Sequence, residues 1–157
     1  MKYYLLLLLI LILPGAGRAQ STPDQQAVMA PVNRLFQGMK LGDSSMVHSA
    51  FANTVTMATV FRNREGKLTV RRETSMDGFL KAVGTPHDKV WNEPVWNVKI
   101  EIDGDFAQVW CDYAFYLGNQ FMHCGVDAFH LFRSDEGWKS CTLPTPGILP
   151  TATCHRK

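Results

Sequence analysis

The alternation in "VWNVKIEI", residues 95–102, is the clearest periodic signal in the chain. Trp96, Val98, Ile100 and Ile102 fall on one parity and Val95, Asn97, Lys99 and Glu101 on the other, the period of a half-buried strand. Asp103-Gly104 follows as a two-residue turn, "FAQVWCDYAFYL" as the next strand, Gly118-Asn119 as a second tight turn, and "FMHCGVDAFHLF" as the returning strand. Upstream the period changes. Over residues 24–40, Val28, Val32, Leu35 and Met39 share one helical face, with Thr22 or Asp24 to cap it and Pro31 to kink it or mark its effective start. A short helix capped by Asp43 fits 43–51, with Met46, Val47 and Phe51 turned inward. Residues 54–61 read as a strand, "NREG" as the turn into "KLTVRR", and 74–84 as a third helix ended by Gly84 and Pro86. Helices first and a long meander after them predict an α+β domain, a curved antiparallel sheet with helices on one face.

A two-residue hairpin also fixes which side chains share a face. With Asp103-Gly104 as the loop, Ile100 lies opposite Ala107, Val98 opposite Val109 and Trp96 opposite Cys111. Carried across Gly118-Asn119, the register sets Tyr113 opposite Cys124 and Cys111 opposite Val126. The expected core face then holds Trp96, Val98, Ile100, Val109, Cys111, Tyr113, Phe115, Met122, Cys124, Val126, Ala128, His130 and Phe132. The other face collects Asn97, Lys99, Glu101, Gln108, Trp110, Asp112, Tyr116, Phe121, His123, Asp127, Phe129 and Arg133. Large aromatics mixed with charges suit a protein interface, here through Trp110, Asp112, Tyr116, His123, Asp127 and Phe129.

The same parity separates the chemistry-bearing residues of the returning strand. His123 and Cys124 point to opposite faces and cannot ligate one metal. His123 and Asp127 share a face but lie roughly 13 Å apart along a strand, too far for a direct proton relay. Asp112 and Asp127 read either as a solvated acidic spot at an interface or as a carboxylate pair. On the core face His130 and Tyr113, with the thiols of Cys111 and Cys124, are the pocket-side candidates. His130 is the one titratable base among them, unless it is simply a satisfied core residue. Trp96, Tyr113, Phe115, Met122 and His130 would line a ligand pocket, aromatic walls with few polar groups.

The N-terminus adds a compartment. One lysine, an apolar run from Tyr3 to Leu13, the Pro14-Gly15 break and small residues at Gly17 and Ala19 make a secretory signal peptide of residues 1–19. The run is shorter than the roughly 20 residues of a bilayer span. Residues 20–157 form a single exported domain, periplasmic or secreted, with no membrane attachment after cleavage. Without Lys2 and Arg18 the basic count falls from 16 to 14, equal to the 14 acids, so bulk charge does not attract nucleic acid. Four cysteines, at 111, 124, 141 and 154, permit a disulfide in an oxidising compartment, but no Cys-x-x-Cys pair signals zinc. No motif calls for a metal or a cofactor.

With these elements placed, "PVNRLFQGMKLGDSSMVHSAFANTV" followed by "VWCDYAFYLGNQFMHCGVDAFHLFRSDEGWK" resembles the nuclear transport factor 2-like (SnoaL-like) superfamily, most nearly the exported bacterial proteins labelled "putative lumazine-binding". The resemblance spans about residues 24–139, and "HCGVDAF" and "EGWK" are its most specific parts. It implies a cone, a bent cystatin-like sheet wrapped around helices with a pocket between them, and a homodimer through the outer sheet face. It also implies a small apolar or heteroaromatic ligand, with an isomerase- or dehydratase-like enzyme using His130 and Tyr113, or a non-catalytic interaction domain, as the alternatives. Superfamily enzymes place an acid or histidine soon after the second helix, where this chain reads "FANTVTMATV". The family pattern further suggests a Cys124–Cys154 disulfide. After Lys139 the chain departs from the pattern: "SCTLPTPGILPTATCHRK" carries three prolines where an apolar central strand is expected. Restoring one adenine after the Lys139 codon of a back-translation returns such a strand and an Asp-Thr-Arg segment. Residues 140–157 are therefore read as an atypical tail of the kind a single-base frameshift produces.

Overall fold

The computed structural model describes residues 21–145; the expected leader and Cys154 lie outside them. Helix α1 (Pro23–Leu41) starts on a reciprocal cap: the Thr22 hydroxyl accepts from the Gln25 N–H at 3.2 Å, and the Gln25 side-chain oxygen accepts from the Thr22 N–H at 3.0 Å. The helix runs through Pro31, which is buried on the same side as Val28, Val32, Leu35 and Met39. Gly42, at φ 69°, ends it in the left-handed conformation that a glycine adopts without strain. Asp43 caps α2 (Ser44–Ser49), accepting from the Met46 N–H at 2.8 Å. The two helices meet at Gly38, where a Cβ would lie 2.7 Å from Val47 Cγ2.

Strands β1 (Phe51–Arg62) and β2 (Leu68–Glu73), helix α3 (Asp77–Gly84), then β3 (Trp91–Asn92), β4 (Val95–Asp103), β5 (Phe106–Leu117), β6 (Gln120–Ser134) and β7 (Gly137–Thr145) complete the chain. The sheet is ordered β2-β1-β7-β6-β5-β3, with β4 also pairing β5. Only the β1–β7 contact is parallel among these pairs. The α+β class expected from the sequence is thus the observed one: a curled sheet whose concave face packs on the helices. The core joins Val28, Val32, Leu35 and Met39 of α1 to Met57, Val109, Cys111, Phe129 and Leu131 of the sheet.

Two bulges overturn the expected faces. The β4–β5 turn sits on Gly104-Asp105, so Ile102 pairs Ala107 and Ile100 pairs Val109. That slip of two positions leaves the faces unchanged. Between Trp96 and Lys99, however, β4 carries an extra residue, and Asn97 there takes φ 51° and donates to Asp112 Oδ2 at 2.6 Å. Beyond it Val95 pairs Tyr113 on the concave side and Trp96 pairs Asp112 on the outer side. In the β5–β6 hairpin Leu117 pairs Gln120 and Tyr116 pairs Phe121, but Phe115 then pairs His123, leaving Met122 as the extra residue. From His123 onward every β6 side chain occupies the face opposite to the one expected. Cys111 pairs Asp127, Val109 pairs Phe129 and Ala107 pairs Leu131, and these are the buried positions, whereas Ala128 and His130 are exposed.

Pro144 does not prevent a last strand; Pro146 and Pro150 lie outside the described residues. β7 extends through Pro144 to Thr145, pairing β1 as far as Thr59↔Thr145, while its ladder with β6 ends at Leu131↔Ser140. Side chains take over where the ladder stops: Thr142 Oγ1 accepts from the His130 N–H at 2.7 Å, and the Ser140 hydroxyl donates to the His130 carbonyl at 3.2 Å. A strand paired on one side alone can hold a residue that lacks an N–H.

Candidate functional site

Once β6 is turned over, its polar residues line the inside of the cone. Asp127 is 1% exposed, and neither of its carboxyl oxygens has a hydrogen-bond partner among the described residues. Buried carboxyl groups are ordinarily satisfied, so this one is an outlier on the concave face. It stands directly opposite Cys111, a free buried thiol. Next along β5, Tyr113 is fully buried, and its hydroxyl lies 3.2 Å from His123 Nδ1. Phe115 continues the row, its ring 5.2 Å from that of His123 and 5.9 Å edge-on to Trp91 of β3. Phe129 closes the row from β6, edge-to-face with Phe36 of α1 at 6.2 Å.

Glu93 enters from the corner between β3 and β4. Pro94 follows it, and with no N–H to give, the chain breaks off one short strand and begins another, while the Pro94 carbonyl accepts from the Ala114 N–H at 3.2 Å. This corner sets Glu93 near the β5 and β6 residues just described. Burial raises its pKa to about 8. Burial also raises the Asp127 carboxyl well above its usual range, and the like charge of Glu93 raises it further. The Cys111 thiol and the Tyr113 phenol are pushed up by burial first and by Asp127 and Glu93 second. Burial lowers the pKa of His123. All five shifts favour the neutral form. With Tyr113 protonated and His123 neutral, the tautomer that carries its proton on Nε2 lets the phenol donate to Nδ1.

The sequence-derived site residues divide accordingly. Tyr113 and Phe115 line the interior as expected. Trp96 is on the outer face, Met122 is the exposed bulge residue, and His130 is exposed with its ring 5.7 Å from Phe106, so these three do not meet Tyr113. Of the expected interface residues, Trp110, Asp112 and Tyr116 are on the outer face, but His123, Asp127 and Phe129 are interior. The Cys124–Cys154 pairing falls on a residue outside the described ones. Glu93 escaped notice because a single glutamate beside a proline carries no periodic signal.

A depression of about 490 Å³ lies between α2, the start of β1 and the β6–β7 turn, lined by His48, Asn53, Glu136 and Lys139 among others. Its cation is already committed: Lys139 Nζ donates to the Ser49 carbonyl at 2.9 Å and pairs Glu136 at 3.3 Å. In the interior both oxygens of Asp127 stand unmet, and on the outer face Trp96 Nε1 is likewise buried without a partner among the described residues. Among the described residues no group of three or more His, Cys, Asp or Glu side chains could hold a metal ion.

The family model described as "Putative lumazine-binding" matches residues 23–142. The chain belongs to this family. Solved structures agree on its fold. A nuclear transport factor 2-like protein with a cystatin-like fold from Novosphingobium aromaticivorans is 11% identical, with TM-score 0.66 over 83% of this chain and 84% of that one. One of unknown function from Shewanella baltica is 20% identical, with TM-score 0.56 over 78% and 94%. A protein from Shewanella frigidimarina described as a putative ketosteroid isomerase is 16% identical, with TM-score 0.54 over 74% and 91%. No curated protein matches the chain in sequence.

Proposed function

We propose that the protein binds a small aromatic molecule inside the cone, and that it does so as an exported homodimer. One observation carries the reading: a fully buried Asp127 carboxyl without a hydrogen-bond partner among the described residues, set among aromatic rings and a Tyr113–His123 pair. An unmet buried polar group costs about 1–3 kcal/mol, and a ligand that meets it returns that cost as affinity. The aromatic walls of Trp91 and Phe115 supply apolar area, and the few polar groups supply orientation. The N-terminal apolar run supports export. The outer face supports a second copy: Trp110 is half-exposed there, with Phe106, Phe121 and Phe132 also open to solvent.

A second reading, an isomerase or dehydratase, is favoured by the raised pKa values of Glu93 and Asp127 beside the Tyr113 phenol. In it one of these carboxyl groups holds and moves the proton, a role for which His130 points to the wrong face. Native mass spectrometry of the protein purified from its own host, with identification of small molecules after denaturation, tests the binding reading. A near-stoichiometric aromatic compound on a dimer is the expected result. A dimer that is empty, and that stays empty when offered the host's small-molecule extract, would overturn it.

A further inference from the structure

We infer that the β1–β2 hairpin docks the protein on an anionic lipid surface. Among the described residues β2 is an edge strand that pairs only β1, and the pairing of β1 with β7 reaches Thr59. From Val60 to Val70 the two strands run as a ribbon of their own, closed by a turn in which Asn63 Oδ1 accepts from the N–H groups of Glu65 at 3.0 Å and Lys67 at 2.9 Å. Directly paired side chains share a face, so Val60 with Val70, Arg62 with Leu68, and Ala58 with Arg72 form one surface. On it Val60 is 41%, Leu68 60% and Val70 55% exposed, an aliphatic patch with an arginine at each end. The charge of the chain is gathered here as well. Residues 62–73 hold five basic side chains against two acidic ones, a net +3 in a chain whose total is +2. Arg71 pairs Glu73, but Arg64, Lys67 and Arg72 have no acidic partner among the described residues. Aliphatic side chains beside unpaired cations match a boundary where hydrocarbon lies next to negative headgroups: Val60, Leu68 and Val70 enter it while the arginine and lysine heads stay at the level of the phosphates. A folded acidic partner matches less well, because protein interfaces are rich in aromatics and poor in lysine, and the exposed aromatics of this sheet are around Trp110 instead. A second copy of the hairpin would be repelled by like charge. No described helix is long and apolar enough to cross a membrane, so the contact is peripheral, and on this one surface it revises the expected absence of membrane attachment.

The test is co-sedimentation of the whole protein with vesicles of phosphatidylglycerol and phosphatidylcholine in equal parts, and with vesicles of phosphatidylcholine alone. At about 0.1 M salt the protein should bind the anionic vesicles at least ~10-fold more tightly than the neutral ones, and the difference should disappear at about 1 M, where the Debye length falls from about 10 Å to about 3 Å. The triple variant Arg64→Gln, Lys67→Gln, Arg72→Gln should lose ~100-fold in affinity for the anionic vesicles, at about fivefold per cation. The double variant Leu68→Ser, Val70→Ser, changed only at exposed positions, should leave the thermal melt little altered and weaken binding ~10-fold or more. Equal binding to both kinds of vesicle, or wild-type binding by either variant, would overturn the inference. Binding to poly-L-glutamate without binding to vesicles would also overturn it and turn the face toward an acidic protein. Binding to neither would leave the cations as the guard of an open sheet edge and refute the docking surface.

Discussion

Replacing Asp127 by asparagine should make the protein more stable near neutral pH and not in acid. Below about pH 4 an aspartate is protonated both in the unfolded chain and in this interior, so ionisation contributes nothing. As pH rises, the unfolded chain releases its proton while the folded state, with its pKa raised by burial and by Glu93, retains it. Stability therefore falls with pH, by up to ~1.4 kcal/mol per unit for one retained proton. Between pH 5 and 7 the loss amounts to at most about 3 kcal/mol, a large part of the about 5–15 kcal/mol that holds a domain folded. Asp127→Asn removes this titration but keeps the shape, and its unmet amide returns part of the cost. The net expectation is a gain of about 1–2 kcal/mol at pH 7 that vanishes by about pH 5. Urea unfolding followed by Trp fluorescence at several pH values, on wild type and variant, measures it. If the two unfolding curves keep a constant separation across the range, or wild type gains stability as pH rises, the carboxyl is paired in the folded protein and the reasoning fails.

Gly38→Ala should destabilise by about 1–3 kcal/mol in a thermal melt, because the added methyl meets the Val47 backbone as well as its side chain. Tyr113→Phe removes the hydroxyl that hydrogen-bonds His123 and should cost about 1 kcal/mol; a larger loss of ligand affinity than of stability would place the hydroxyl or the ring nitrogen against the ligand. His130→Ala should leave both folding and ligand affinity unchanged, since the ring lies outside the cone, and reduced affinity would refute the β6 register. Trp110→Asp should dissociate the proposed homodimer in sedimentation equilibrium; an intact dimer would move the interface elsewhere.

The elements were legible in the sequence because each has a local cause. The Val28, Val32, Leu35 and Met39 stripe, the caps at Thr22 and Asp43, and the turns near Gly104 and Gly118 fix helix, strand and hairpin from neighbours a few residues apart, and of these only the first turn lies one residue further on, at Gly104-Asp105. What β6 and the start of β4 show to the inside was not legible, because facing is a parity and one extra residue reverses it. Met122 in β6 and the Asn97–Val98 step in β4 are such residues, and nothing in "FMHCGVDAFHLF" marks the reversal. The composition even pointed the wrong way. Val126, Ala128, His130 and Phe132 are together as apolar as a core row, yet lie on the outer face, while His123, Asp127 and the hydroxyl of Tyr113 lie within. Between His123 and Asp127 this strand turns polar groups inward, against the usual rule, and the Asp127 carboxyl there is unmet among the described residues. The sequence alone determined the class, the order of elements and the family. Only the tertiary structure could bring Glu93, thirty-four positions away along the chain, to the side of Asp127, because that contact depends on two bulges and a corner at Pro94 rather than on any local preference.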